Sequence, residues 1–269
     1  MKIRFHWYVA LLLALLVAGC GSSPVASAPI ALAQARAEVV AANRGMQRHE
    51  WDSAIAHWQL ALRLYSSVDN WGGQGEARLG LANAYAMHGQ RNLARNTLTG
   101  MLDQTLFSQA QRTQAAYQLA LLALPDTGAA VSYLKQSQTL CAGQCALVAQ
   151  LTNLEARIQL TQGNAAVALA LAQTVLAHPE GIPESEQAHA WRLVAESKLQ
   201  LADSAGGWLA LQQALTIDRK IAVSEYLADD LLLQKRLGKA MSDKAVEDDA
   251  QMRLQSLCAA VPAQACTAF

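Results

Sequence analysis

The sequence predicts an all-α fold, an array of helix-turn-helix pairs, about five to six in number. Three observations carry the expectation. Alanine, leucine and glutamine dominate, while β-branched and aromatic residues are few, a composition that favours helix over strand. From Ala31 onward apolar residues recur at three- and four-residue spacing, the period of one helix face, with only short breaks. Finally, a small residue followed four positions later by a large apolar one returns at intervals of about 37 to 40 residues, the self-similarity of a repeat array.

The residues ahead of the array have another purpose. Met1 to His6 carries Lys2 and Arg4, and Trp7 to Leu16 is a short apolar core. Spanning about 30 Å of hydrocarbon takes about 20 helical residues, so this core reads as the middle of an export signal. It ends in Val17-Ala18-Gly19-Cys20, which resembles the bacterial lipobox, with valine where leucine is usual. The resemblance implies cleavage after residue 19, a diacylglyceryl group on Cys20 and an N-acyl chain beside it, with no other cofactor. The alternative is an ordinary secretory signal in which Cys20 is incidental. Stable anchoring needs two or more chains at about 0.8 kcal/mol per buried CH₂. No aspartate follows the cysteine, so the resemblance also implies sorting to the outer membrane. Residues 21–29 (GSSPVASAP) are small and uncharged and read as a tether reaching roughly 20 Å. The expected divisions are 1–19 signal, 20–29 lipidated cysteine and tether, 30–259 helical array, and 260–269 C-terminal tail. Without Lys2 and Arg4 the chain has 19 basic and 21 acidic residues, an even balance that argues against a nucleic-acid partner.

The first pair is read in Ala41 to Leu62, with a turn near His49 and a second helix carrying Trp51, Ala54, Trp58, Ala61 and Leu62. The second is Leu81 to Thr99, with Leu81, Ala84 and Tyr85, a turn at Gly89, then Ala94 and Leu98. Tyr117 to Leu124 with Ala130 and Leu134 gives a third, and Gln159 to Val175, turning at Gly163-Asn164 with Ala168 in the small position, a fourth. Ala190 to Asp218 is a fifth, and Tyr226 to Leu257 a degenerate sixth. Close approach of two helices needs a small side chain where they cross, and positions i, i+4 and i+7 share one face. The pattern resembles the tetratricopeptide repeat (TPR), which implies a right-handed superhelix whose first helices line a concave face. The family period is shorter; the surplus is assigned to loops, Asp69 to Gly75 (DNWGGQG) among them. Pro125, Pro179 and Pro183 fall between helices, where proline is tolerated.

Cys141, Cys145, Cys258 and Cys266 follow Cys20. An even number in an oxidising compartment suggests disulfides, and four cysteines allow three pairings. Local pairing is preferred, Cys141 with Cys145 and Cys258 with Cys266, since one helical turn sets Cα atoms about 6 Å apart, within disulfide reach. Zinc is the competing reading, but no histidine has ligand spacing.

Chemistry-bearing motifs are weak. Gly72-Gly73-Gln74-Gly75 lacks the lysine and preceding strand of a phosphate loop, and His49-Glu50 lacks the second histidine of a zinc protease helix. Ser132-Tyr133-Leu134-Lys135 fits a short nucleophile pattern but lies within a repeat helix. His57, His88, His178 and His189 are scattered and read as surface or junction residues. No catalytic and no metal-ligating residue is expected, and the chain reads as a non-enzyme. The repeat alignment sets Asn43, Asn83, Arg157 and Arg192 on first helices facing the groove. Asparagine amides can hold a peptide backbone and arginine can pair with a carboxylate; solvated polar residues on an exposed face are the plainer alternative. The acidic run Glu247-Asp248-Asp249 is a second candidate surface.

Together these readings predict a lipid-anchored periplasmic adaptor for periplasmic or outer-membrane proteins of the pilus, outer-membrane-protein or cell-wall machinery. A cell-wall enzyme or accessory subunit with an undetected cleft, and a structural oligomer-forming lipoprotein, are the alternatives.

Overall fold

Helices approach closely only where side chains are small, and the array is organised around such points. Ala54, Ala94, Ala130 and Ala168 are each fully buried, at 0% exposure, and each is the fourth residue of a second helix. The computed structural model describes residues 30–261 and Cys266. Among them are twelve helices and no strand: α1 (Ile30–Gln47), α2 (Trp51–Ser67), α3 (Trp71–Met87), α4 (Arg91–Thr99), α5 (Gln109–Ala123), α6 (Thr127–Cys141), α7 (Val148–Thr161), α8 (Ala165–Ala177), α9 (Glu184–Gln200), α10 (Ser204–Ile221), α11 (Ser224–Ala240) and α12 (Lys244–Ala260). They form six consecutive pairs. Each helix packs chiefly on its chain neighbours, and α3 also meets α5, α7 meets α9, and α9 meets α11. Buried apolar residues fall into successive clusters along the array, as in solenoids whose units touch only their neighbours.

The last two pairs solve the crossing differently. The fourth residue of α10 is Gly207, where an added Cβ would lie 3.0 Å from the Ala195 carbonyl oxygen. The fourth residue of α12 is Glu247, and the small residue moves to the first helix: a Cβ on Gly238 would lie 2.8 Å from the Glu247 nitrogen. Within each pair the turn places a left-handed residue two positions before the second helix, at His49, Gly89, Gly163, Ala202 and Ser242. Gly89 and Gly163 adopt that conformation without Cβ crowding. The third pair instead carries the cis Leu124–Pro125 bond there.

One expectation is corrected. Asp69 to Gly75 is not a loop insertion: α3 begins at Trp71, and the Asn70 side chain accepts from the Gly73 nitrogen as its N-cap. Gly73, and Gly80 further along α3, are there for packing. A Cβ on Gly73 would meet the Tyr65 ring at 2.3 Å, and one on Gly80 the Trp58 ring at 2.3 Å. Large α2 side chains therefore lie against bare α3 backbone. The extra length lies largely in the helices themselves: α2, α3, α9 and α11 have 17 residues each and α10 has 18.

Cys141 is bonded to Cys145 and Cys258 to Cys266, with Cα separations of 5.0 and 5.5 Å. The first closes the end of α6 onto the loop that follows; the second holds Cys266 against α12. The signal segment, Cys20 and the tether lie outside the described residues. Among the described residues no helix is long and apolar enough to cross a membrane.

Candidate protein-binding groove

The repeat register locates the groove. Eleven residues before the small position of each second helix stand, in order, Asn43, Asn83, Leu119, Arg157, Glu196 and Arg236. Asn43, Asn83, Arg157 and Arg236 are exposed, Glu196 is half-buried, and only Leu119 is buried. Arg236 donates to Glu196 at 2.9 Å. The structure therefore sets three of the sequence candidates, Asn43, Asn83 and Arg157, in one row on the first helices.

Arg192 does not belong to that row. It lies one helical turn earlier, level with Val39 and Asn153, which are both buried. Its side chain is 12% exposed and its charge is committed inside the array. Its Nε donates to Asp230 at 2.6 Å, its Nη2 to Asp218 and, at 3.3 Å, to the Tyr226 carbonyl, with the guanidinium 5.8 Å from the Tyr226 ring centroid. Arg192, Asp218 and Asp230 thus tie α9, α10 and α11 together. Both carboxylates have 0% exposure, and one guanidinium faces two of them. Asp218 Oδ1 and Asp230 Oδ2 have no donor unless one carboxyl keeps its proton. Burial outweighs Arg192 and pushes both carboxyls up, Asp230 to about 7.

Two cavities open along the groove. One, of about 160 Å³, lies among α7, α9 and α11 and is bordered by Arg157, His189, Arg192, Glu196, Asp229 and Arg236. Burial first, then the charges of Arg192 and Arg157, hold His189 down to about 3, so its imidazole is neutral near pH 7. The second, of about 580 Å³, lies between the two ends of the array. Met46, Trp51, Asn83 and Met87 line it from the first two pairs, and Glu225, Tyr226 and Asp229 from the last. His49 crosses the gap and lies 3.4 Å from Glu225, its ring edge-on to Trp51 at 5.1 Å. Asn43 is exposed one turn before Met46 but does not border this cavity.

Two charges in the groove stand without a partner. Neither Arg157 nor Asp229 makes a side-chain hydrogen bond or ion pair with any described residue. Although Asp229 is exposed as a residue, desolvation around its carboxyl raises it, against the lowering pull of Arg192 and Arg157. Asp229 borders both cavities, so the two form one continuous surface. Sequence reading missed Asp229, Glu225 and Tyr226 and set His189 aside. The register counted from Gly207 and Glu247 would have found His189 and Asp229; the meeting of the array's ends has no local signal. The other candidate surface, Glu247, Asp248 and Asp249, is drawn into local pairs with Lys244 and Arg253.

A solenoid of helix pairs with a small residue at each crossing and a polar row on its first helices defines a tetratricopeptide-type array, and the chain has that fold. Among solved structures it is similar to TPR-like repeats of a putative kinesin light chain from Podosopora anserina, with 16% identity, TM-score 0.53, and coverage of 70% of this chain and 95% of that one. It is likewise similar to BtubC (BKLC) from P. vanneervenii, with 14% identity, TM-score 0.52, and coverage of 87% and 92%. At such identities the likeness concerns the fold alone. No protein-family model matches the chain, and no curated protein matches it.

Proposed function

We propose that the protein is a non-enzymatic adaptor that holds a polypeptide segment of an envelope protein along the concave face of its helical array. The observation that carries this reading is the shared register of Asn43, Asn83 and Arg157 on first helices, along a groove with one cavity lined by first helices and a second lined chiefly by them. Exposed amides and an unpaired guanidinium can take backbone and charged groups of an extended or helical segment. In this reading Cys20 carries the lipid, the short tether keeps the array close to the periplasmic face of the outer membrane, and the partners belong to pilus, outer-membrane-protein or cell-wall assembly.

The test is photo-crosslinking in cells. A photoreactive amino acid replaces Asn83 or Arg157 in one set, and Val167 or Leu209, which are exposed on second helices, in another. Discrete adducts from the groove positions alone support the reading. Adducts from Val167 or Leu209 alone place the binding face elsewhere.

A further inference from the structure

We propose that the cavity between the two ends of the array is a subsite for a basic side chain, arginine or lysine, of the bound segment; this rests on the adaptor reading and specifies the partner's chemistry. The walls are Trp51, Tyr226 and the thioethers of Met46 and Met87. Met87 is 42% exposed and Tyr226 37%, so apolar surface lies open in the groove with nothing of the described chain upon it. The charged groups at its edge are Glu225 and Asp229, opposed by His49. Of the two carboxylates, Glu225 touches His49 at 3.4 Å; Asp229 lies in the field of Arg192 and Arg157 but makes no side-chain hydrogen bond or ion pair with a described residue.

A long basic side chain suits this combination better than any other class. Its aliphatic stem covers the methionines while its charged head reaches a carboxylate. The ring of Trp51 favours a cation further, while that of Tyr226 already lies beside the Arg192 guanidinium. A guanidinium pairs with carboxylate oxygens through directed, charge-assisted hydrogen bonds. An acidic side chain would meet two like charges. A neutral apolar one would strip water from Asp229 without giving it a partner, a costly burial. Arg157, the unpaired cation of the adjoining cavity, sets the direction: a segment with a base at Asp229 and an acid toward Arg157 satisfies both.

Occupancy has a structural consequence. The walls come from the first two pairs and from the last, so a bound cation bridges the ends of the array and competes with His49 for Glu225.

The probe is N-acetyl-arginine methylamide, with its citrulline counterpart as a neutral isostere and the glutamate analogue as the acidic control. The readout is the indole ¹⁵N–H resonance of Trp51 in the full chain, assigned with Trp51→Phe. The arginine probe is expected to shift it saturably, with the citrulline probe at least about fivefold weaker and the glutamate probe weaker still. Asp229→Asn, near-isosteric and at an exposed position, should bring arginine binding down to the citrulline level; Glu225→Gln is the second variant should the first unfold. Equal binding of arginine and citrulline, preference for glutamate, or an arginine affinity unmoved by both variants overturns the subsite. Crosslinks at Asn83 and Arg157 without arginine binding leave the adaptor reading standing and remove only the basic subsite; arginine binding without groove crosslinks does the reverse.

Discussion

His49, in the turn between α1 and α2, lies 3.4 Å from Glu225 at the start of α11, so the first and last pairs of the array meet across its groove. The two side chains are half-buried, and a partly solvated pair at this distance contributes about 0–1 kcal/mol. Glu225→Gln should therefore leave the melting temperature nearly unchanged but widen the gap. Spin labels on Arg48→Cys and Ala222→Cys read the separation: the native distribution should be narrow and the variant's longer and broader. Identical distributions would mean that backbone packing alone sets the curvature.

The crossing residues should tolerate no added bulk. Ala54 and Ala94 are fully buried, and the Ala54 nitrogen lies only 3.1 Å from a Cβ built on Gly45. Replacing either alanine by leucine should cost about 1–3 kcal/mol. At about 2–4 °C per kcal/mol for a domain of this size, calorimetry will show the loss. Two unchanged melts would refute the register.

The Arg192–Asp218–Asp230 cluster should make stability depend on pH. The folded chain keeps a proton on the raised carboxyl pair that an unfolded aspartate, with a pKa of about 3.9, gives up. More protons on the folded form means stability falling as pH rises through the window from about 4 to about 7. His189, held low, acts in the opposite sense over the same range, so the difference between wild type and Asp230→Asn isolates the effect. The wild-type melting temperature minus that of the variant should fall between about pH 4 and about pH 7. Removing the cation is more severe: Arg192→Ala strands two buried carboxyls and should cost about 3–5 kcal/mol.

Both disulfides are local in sequence. Chain-entropy arguments assign about 2–3 kcal/mol to loops this short, less any native strain. Non-reducing peptide mapping should recover Cys141 with Cys145 and Cys258 with Cys266. A linkage between the two regions would contradict the observed pairing.

Much of this architecture was legible in advance, because it rests on local rules. Ala54, Ala94, Ala130 and Ala168 announce helix crossings, and Gly89 and Gly163 announce turns, since each acts through backbone geometry that a sequence displays. The segment from Trp71 to Gly75 reads as a loop because it holds three glycines; the facing Tyr65 and the neighbouring Gln111 account for two of them, Gly73 and Gly75, within a helix. Arg192 stands on a first helix and borders the groove cavity, but one turn before the row, with its charge engaged by Asp218 and Asp230. The ion cluster and the meeting of His49 with Glu225 join residues from different pairs, and such contacts have no local signature. The lipid on Cys20 rests on the signal pattern alone; Cys20→Ala is expected to leave the chain soluble after a high-salt wash, and continued partition with membranes would refute the anchor.

The central claim is that the first-helix row binds the partner. The most direct measurement compares wild type with the triple variant Asn43→Ala, Asn83→Ala, Arg157→Ala in quantitative recovery of crosslinked envelope proteins, beside thermal melts of both. All three side chains are exposed, so their loss opens no core cavity, while each neutral hydrogen bond to a partner contributes about 0.5–1.5 kcal/mol and a charged one about 1.5–3. The predicted result is unchanged melting with recovery reduced by about tenfold or more. Equal recovery at equal stability would contradict the claim and move the binding surface off the concave face.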